Sequence, residues 1–352
     1  MTGIALLGAG IFAREEHLPA VEAVPYLTLK AVYSRSQASA EALAAASRSP
    51  TSVTVYFDSP AVEGKTLEDL LRRDDVEAVI VALPILHQPA VVEQALRAGK
   101  HVLSEKPVAG TVADAVRLIG WYEGNEKKSL WGVAENWRYL ESLRYAAQRV
   151  RKLGGDLLNF RLHWYAYMSQ ENKYYNTEWR KVPQHQGGFL LDACIHSVAS
   201  LRLLLGAAGD NIKQLVGFST LLNKALVPVD TIHAAAITGG GRGGTIVLTF
   251  ATEYKFNIEV EIVTTKGSVL WNLTEVTTVT GKGDGSGDQV QEKKEFPYSS
   301  GVKEEVKAFA AALAAGKLDT LQSPTEALKD LEIIQALLES GDGGATVKNI
   351  TL

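Results

Sequence analysis

The sequence predicts a doubly wound α/β domain with a parallel sheet, followed by a second, strand-rich domain. Three observations carry this: apolar runs alternate with helix-compatible stretches over the first third of the chain, a glycine-punctuated turn follows the first run, and strand-like runs dominate the second half. At 352 residues the chain is too long for one ordinary hydrophobic core, so two domains are expected. The boundary falls after Glu135-Asn136, giving residues 1–137 and 138–352.

In order along the chain, Ile4-Ala5-Leu6-Leu7 is a short, wholly apolar run, the pattern of a strand buried on both faces. Helix-compatible sequence follows from Ile11 to Ala23. Further strands read at Leu27–Tyr33, Val53–Tyr56, Ala78–Leu83, His101–Leu103 and Leu130–Ala134. Helices read between them at Gln37–Ala46, Thr66–Arg72, Pro89–Ala98 and Thr111–Glu123. Repeated β-α alternation with short connections implies a parallel sheet covered by helices, whose ligands bind outside the carboxyl ends of the strands.

Composition narrows the function. Hydrophobic residues make up 46% and charged residues 22%, and Lys+Arg 36 against Asp+Glu 40 leaves a net charge of −4. Such a balance gives no global field for nucleic acid or an anionic membrane, so neither is expected as a partner. Cys194 is the only cysteine, so no internal disulfide can form, which suits a reducing, cytoplasmic compartment. The first strand-like run starts at Gly3 with no charged leader before it, and no run of about 18 apolar residues predicts a membrane span.

Gly8-Ala9-Gly10-Ile11-Phe12-Ala13 is a G-x-G-x-x-A placed after a strand and before a helix. Gly8 permits the tight turn, and Gly10 lets backbone approach a pyrophosphate. Ala13 allows close helix–strand packing, and the amides around Ile11 and Phe12 open the helix toward the phosphates. This is the setting of a Rossmann dinucleotide site. An NAD-preferring fold places Asp or Glu at the end of the second strand, bonded to the ribose 2′-hydroxyl. Tyr33-Ser34-Arg35-Ser36 stands there without a carboxylate. Ser34 and Ser36 can donate to a 2′-phosphate and Arg35 can pair with it, so NADP(H) is expected over NAD(H); Ser36 also suits a helix N-cap.

Gly99-Lys100-His101-Val102-Leu103-Ser104-Glu105-Lys106-Pro107 resembles the G-K-H-V-x-x-E-K-P signature of the Gfo/Idh/MocA oxidoreductases. The resemblance extends over essentially the whole chain, through Trp179-Arg180, Gly187-Gly188, Asp192-Ala193-Cys194-Ile195-His196, Thr265-Lys266-Gly267-Ser268 and Ser323-Pro324-Thr325-Glu326-Ala327. It implies an N-terminal Rossmann domain, a C-terminal α+β domain built on an open, mostly antiparallel sheet, and a homo-oligomer, dimer or tetramer. It also implies that Lys106 bonds the reacting substrate oxygen and the cofactor ribose, with Glu105 beside it at the cofactor. Asp192 and His196 lie four apart in the helix-periodic stretch Phe189–Leu205, which puts them on one helix face. His196 is accordingly assigned as acid/base and Asp192 as its orienting or substrate-binding partner. Trp179 and Arg180, just before this segment, are placed at the substrate and cofactor.

The chain departs from the family after the fourth strand. Where many members carry T-P-N-x-x-H, it has Leu83-Pro84-Ile85-Leu86-His87, without the asparagine and with the histidine shifted by one. Leu83, Pro84 and His87 remain candidates for the nicotinamide half of the cofactor; His87 either lines the cleft or starts the next helix.

Strand-like runs in the second half are Leu157–Tyr167, Leu215–Leu221, Thr231–Ile237, Thr245–Ala251, Asn257–Thr264 and Ser268–Trp271, with closing helices at Val302–Ala315 and Pro324–Ser340. Gly239–Gly244 reads as a hairpin loop and Gly281–Asp288 as an exposed loop. No H-E-x-x-H or paired-cysteine motif occurs, so no metal is expected. The resulting function is hydride transfer between NADP(H) and a small sugar, polyol or related carbonyl compound. A nucleotide-sensing regulator and an imine reductase are the competing readings.

Overall fold

The computed structural model describes residues 1–125, 129–282 and 287–352. In chain order the elements are β1 (Thr2–Leu7), a π turn (Ala13–His17) leading into α1 (Leu18–Ala23), β2 (Leu27–Ser36), α2 (Gln37–Ala45), β3 (Thr54–Ser59), α3 (Leu67–Leu71), β4 (Ala78–Val81), α4 (Gln88–Arg97), β5 (His101–Glu105), α5 (Val112–Gly124) and β6 (Trp131–Ala134). There follow α6 (Glu141–Leu153), β7 (Leu157–Tyr165), α7 (Glu178–Lys181), α8 (Gly188–Ala207), β8 (Ile212–Thr220), β9 (Thr231–Thr238), β10 (Gly243–Thr249), β11 (Asn257–Thr264), β12 (Gly267–Asn272), β13 (Glu275–Gly281), β14 (Gln289–Glu295), α9 (Val302–Ala315), α10 (Pro324–Asp342) and β15 (Lys348–Asn349).

The chain divides into two compact units, Met1–Asn136 with Ser300–Leu328, and Trp137–Ser299 with Lys329–Leu352. The first holds a six-stranded sheet of order β3-β2-β1-β4-β5-β6, parallel throughout. Every residue of β4, and Ile4 to Leu7 of β1, is buried, as expected of central strands covered on both faces. After β3 the chain crosses to the other side of β1, so strand order reverses between β1 and β4, the switch point at which such sheets bind ligands.

A single cut at 137/138 assigns residues 300–328 to the second domain, but they pack with the first. Val302, Val306 and Phe309, at i, i+4 and i+7 on α9, are buried in one core with Ile4, Leu18, Val21, Ile80 and Leu103. The apolar stripe of α9 was evident from its sequence; which core it fills depends on a long-range contact that periodicity does not encode.

The second unit is a nine-stranded sheet of order β14-β13-β12-β11-β7-β10-β9-β8-β15. Among the described residues only β7 and β10 pair in parallel, so the sheet is mostly antiparallel, as the resemblance implied. Helix α8 packs on β7, β10 and β11, and α6 on β12 and β13. By length and composition α8 would cross a membrane, yet 78% of its 18-residue apolar window is buried within the protein, where it forms a core helix. Five elements were missing from the sequence expectation, the four-residue helix α7 among them. Helix α6 buries Leu143, Ala146, Ala147 and Val150 along a helical stripe set among charged residues. Strands β13 and β14 form a hairpin beyond Trp271, and β15 is a two-residue edge pair on β8. Gly239–Gly244 does span the β9–β10 hairpin. Of the Gly281–Asp288 loop, residues 283–286 lie outside the described residues.

Two stability predictions follow from the first unit. Phe309→Ala opens a cavity in its fully buried core and should cost about 3–5 kcal/mol in urea unfolding; a loss below about 1 kcal/mol would contradict the shared core. His101 Nδ1 accepts the Leu130 amide at 2.8 Å, and burial holds its pKa below the ordinary histidine value, with nearby Glu77 acting in the opposite direction. The unfolded chain therefore takes up this proton first as pH falls, so stability declines on acidification through about pH 6.5. His101→Asn, which keeps an acceptor but cannot titrate, should flatten that decline in thermal melts.

Candidate functional site

In the first unit the carboxyl ends of β2, β1, β4 and β5 lie side by side on one edge of the sheet. Three inter-strand steps separate the outer two, roughly 14 Å. Gly8 ends β1 at φ 116°, a conformation L side chains rarely adopt, and a Cβ there would lie 2.1 Å from the Ala82 carbonyl oxygen. Its amide donates to Tyr33 O at 2.8 Å, while Ala82 N donates to Leu7 O, so the turn is pinned to both neighbouring strands. Gly10 is different. A Cβ built there meets nothing within 4 Å, so the loop presents open, exposed backbone ahead of Ile11 and Phe12, which start the helix. This is a cradle suited to a pyrophosphate.

Ser34, Arg35 and Ser36 complete β2; Arg35 and Ser36 are exposed and Ser34 is half-buried. Ser36 is also the N-cap of α2, accepting from the Ser39 amide and donating to Ser39 Oγ at 2.8 Å. A carboxylate that the linear pattern did not include, Asp58 on β3, lies close to this end. One of its oxygens accepts the Tyr33 phenol at 2.5 Å and the other the Leu67 amide at 3.2 Å. Burial, reinforced by Asp58, pushes the Tyr33 phenol well above its ordinary pKa, so it remains a donor. Beyond the end of β4, Leu83 and Pro84 are half-buried, and exposed His87 is the N-cap of α4 without a side-chain capping bond. It therefore starts the next helix.

Lys106 follows β5 directly, partly exposed, joined to Pro107 by a cis peptide. Glu105 was expected at the cofactor. Its carboxylate lies 2.6 Å from Nε2 of His17, a residue with no exposed surface. Buried Gln88 donates from Nε2 to the carbonyls of Glu105 at 3.0 Å and Pro107 at 3.4 Å, flanking Lys106 on both sides. Sequence reasoning missed both His17 and Gln88. The only available signal was a polar residue within an otherwise apolar helix face.

In the second unit, Gly187 and Gly188 open α8 at φ 69° and 51°. A Cβ on Gly188 would lie 2.5 Å from Val227 O, so the tight entry requires glycine. Asp192 is buried one turn into α8 and accepts from Arg180 Nε at 2.7 Å. The Arg180 guanidinium lies 4.1 Å over the Trp179 ring, which also meets the ring of His185. His185 donates to Gly188 O at 3.1 Å, and burial lowers its pKa. His196, one turn beyond Asp192 and half-buried, stacks on Trp137 with ring centroids 5.1 Å apart and planes inclined by 15°. Trp137 in turn stacks on Trp164 at 5.3 Å. The imidazole plane is thereby restricted.

Two family domains match the chain in succession, the second spanning residues 300–328 that pack with the first unit. Residues 2–132 match the Gfo/Idh/MocA oxidoreductase family's NAD-binding Rossmann fold, and residues 152–348 its C-terminal alpha/beta domain. The chain belongs to this family and is an NAD(P)-binding oxidoreductase of the dehydrogenase type. It is 51% identical to Dehydrogenase FPY6 of Fusarium mangiferae, with 99% of each chain covered. It is 30% identical to dTDP-3,4-didehydro-2,6-dideoxy-alpha-D-glucose 3-reductase of Streptomyces violaceoruber, covering 76% of this chain and 71% of that one. An oxidoreductase from Thermotoga maritima superposes with a TM-score of 0.84 at 28% identity, covering 99% of this chain and 98% of its own.

The two loop glycines should respond differently to the same substitution. Gly10→Ala should leave thermal stability nearly unchanged and weaken cofactor binding by about tenfold or more, because only the approach of the pyrophosphate is obstructed. Gly8→Ala should lower the melting temperature as well as affinity, because its Cβ collides with β4. Equal effects of both variants on folding would refute the cradle.

Proposed function

We propose that the protein transfers hydride between NADP(H) and a small carbonyl or hydroxyl compound of the sugar or polyol class, with Lys106 and His196 handling the substrate oxygen and its proton. The observation that carries this reading is the placement of the glycine turn and Lys106 on the same edge of one parallel sheet, at strands β1 and β5 on either side of β4. Gly8, Gly10 and the first amides of the following helix would hold the pyrophosphate. When bound, the nicotinamide supplies or accepts the hydride.

The preference for the phosphorylated cofactor rests on the end of β2. Exposed Arg35 and Ser36 offer a cation and a hydroxyl to a 2′-phosphate, and no carboxylate stands in that stretch to repel it. Each oxygen of nearby Asp58 already accepts a hydrogen bond from within the fold. Lys106 would donate from Nζ to the reacting oxygen, stabilising negative charge as it develops there. His196, its ring plane held by Trp137, would take the hydroxyl proton in oxidation and return it in reduction. The Arg180–Asp192 pair, backed by Trp179, offers a planar donor–acceptor surface suited to sugar hydroxyls. The sugar-nucleotide reductase among the relatives supports a keto-sugar as the first class to try.

The test combines cofactor binding with turnover. Arg35→Ala should raise the Kd for NADPH by about 10- to 100-fold while changing that for NADH little, reflecting loss of a charge-assisted contact worth about 1.5–3 kcal/mol. Across keto-sugars, aldehydes, diketones and imines, at least one compound should consume NADPH, with turnover falling by about 10²-fold or more in Lys106→Ala and His196→Ala. Tighter binding of NADH than NADPH would overturn the cofactor assignment. Cofactor binding without turnover in either direction would replace the enzyme by a nucleotide sensor.

A further inference from the structure

We infer that His17 is a positioning residue for Lys106: through the Glu105 carboxylate it fixes the turn that carries the lysine to the helix that opens at the glycine loop. This role deepens the one proposed for Lys106 and rests on it, while its test below separates the two.

The contact joins segments 88 residues apart. His17 Nε2 and Glu105 Oε1 are 2.6 Å apart, and His17 is completely buried. Its other ring nitrogen, Nδ1, has no hydrogen-bond partner. An apolar side chain of similar volume would fill this space without an unsatisfied ring nitrogen of its own, so packing alone gives no reason for a histidine here. The bond to Glu105 does.

The backbone is shaped around that bond. Residues Ala13–His17 form a π turn, with the Leu18 amide reaching back to Ala13 O. Such turns are rare, occur mostly as single-turn bulges within helices, and are frequent at functional sites. This one begins three residues after Gly10, so one short segment carries both the glycine loop at its start and the Glu105 contact at its end. The edge-on packing of Phe12 against the His17 ring, with centroids 5.3 Å apart, ties the two ends together.

Lys106 is then constrained from two directions. Gln88 holds the carbonyls of Glu105 and Pro107, the residues on either side of it, and His17 holds the Glu105 side chain. Gln88 likewise leaves one buried atom, Oε1, without a partner, so at both positions a polar group is retained for the bonds it makes to the Lys106 turn. Any movement of the segment containing the glycine loop is transmitted through His17 to Glu105. The position of the cofactor pyrophosphate and that of the lysine ammonium are consequently set by one element.

Site-resolved acylation by N-succinimidyl acetate, read by peptide mass spectrometry, tests this without a substrate. In His17→Leu, labelling of Lys106 relative to Lys65 should change at least threefold, in the free protein and with NADPH bound. In His17→Gln, whose amide N–H can still reach Glu105, it should return to within twofold of wild type. A folded His17→Leu with unchanged relative labelling, or a His17→Gln that behaves like the leucine variant, overturns the inference. If His17→Leu does not fold, Glu105→Gln against Glu105→Leu gives the same comparison from the other side of the contact.

With any carbonyl compound turned over by the wild type, His17→Leu should lower kcat by about 10- to 100-fold and leave KM within threefold, the cost of misplacing a group rather than removing it. An unchanged kcat would also overturn the inference, provided Lys106→Ala is inactive. If Lys106→Ala is fully active, the role assigned to Lys106 fails, and the labelling result alone decides whether His17 sets its position.

Discussion

The close approach of β1 to β4 is the constraint on which the rest of the first unit depends. The Ala82 carbonyl occupies the space a side chain on Gly8 would need, and that contact lies where strand order reverses. Because the strands are parallel, their carboxyl ends share one edge, and the residues following them are brought together irrespective of their separation in sequence. Ser36, Gly8, Pro84 and Lys106 come from four separate stretches of chain and stand in one row for this reason. Side-chain polarity at those ends, rather than the fold, then decides what can bind.

Much of this was legible in the sequence. The apolar runs of β1 and β4 and the intervening helical stretches specify buried parallel strands, and the glycine turn and E-K-P segment mark which strand ends matter. The second unit was less legible in particular places. Strand β14, Gln-Val-Gln-Glu-Lys-Lys-Glu, is exposed at every residue, so it carries no alternation to read; its charges suit an unpaired sheet edge. Helix α6 was obscured by its charges, although its buried residues keep a helical period. Asp58 and His17 lay beyond sequence reasoning for another reason. Each acts through a contact with another strand or strand end, and neither belongs to a local motif that would flag it.

The second unit prepares its side chains by packing. Asp192 is buried next to Arg180, so its charge is balanced within the unit rather than by solvent. His196 is held flat against Trp137, and Trp137 against Trp164, which restricts the imidazole to one plane. Restricting a side chain in this way lowers the entropy lost when any partner engages it. The glycine pair at the start of α8 allows that helix to begin close against Val227, with Asp192 buried and His196 half-buried further along it.

The discontinuity of the first unit bears on how the protein is made. Its sheet is complete once residue 134 has been synthesised, but Val302, Val306 and Phe309 of the same core come almost at the end of the chain. At roughly 5–20 residues per second on the ribosome, that delay amounts to about 10–35 seconds. During that interval the nascent nucleotide-binding half carries an uncovered apolar surface, and it is in this interval, rather than in the finished molecule, that chaperone capture or aggregation has its opportunity.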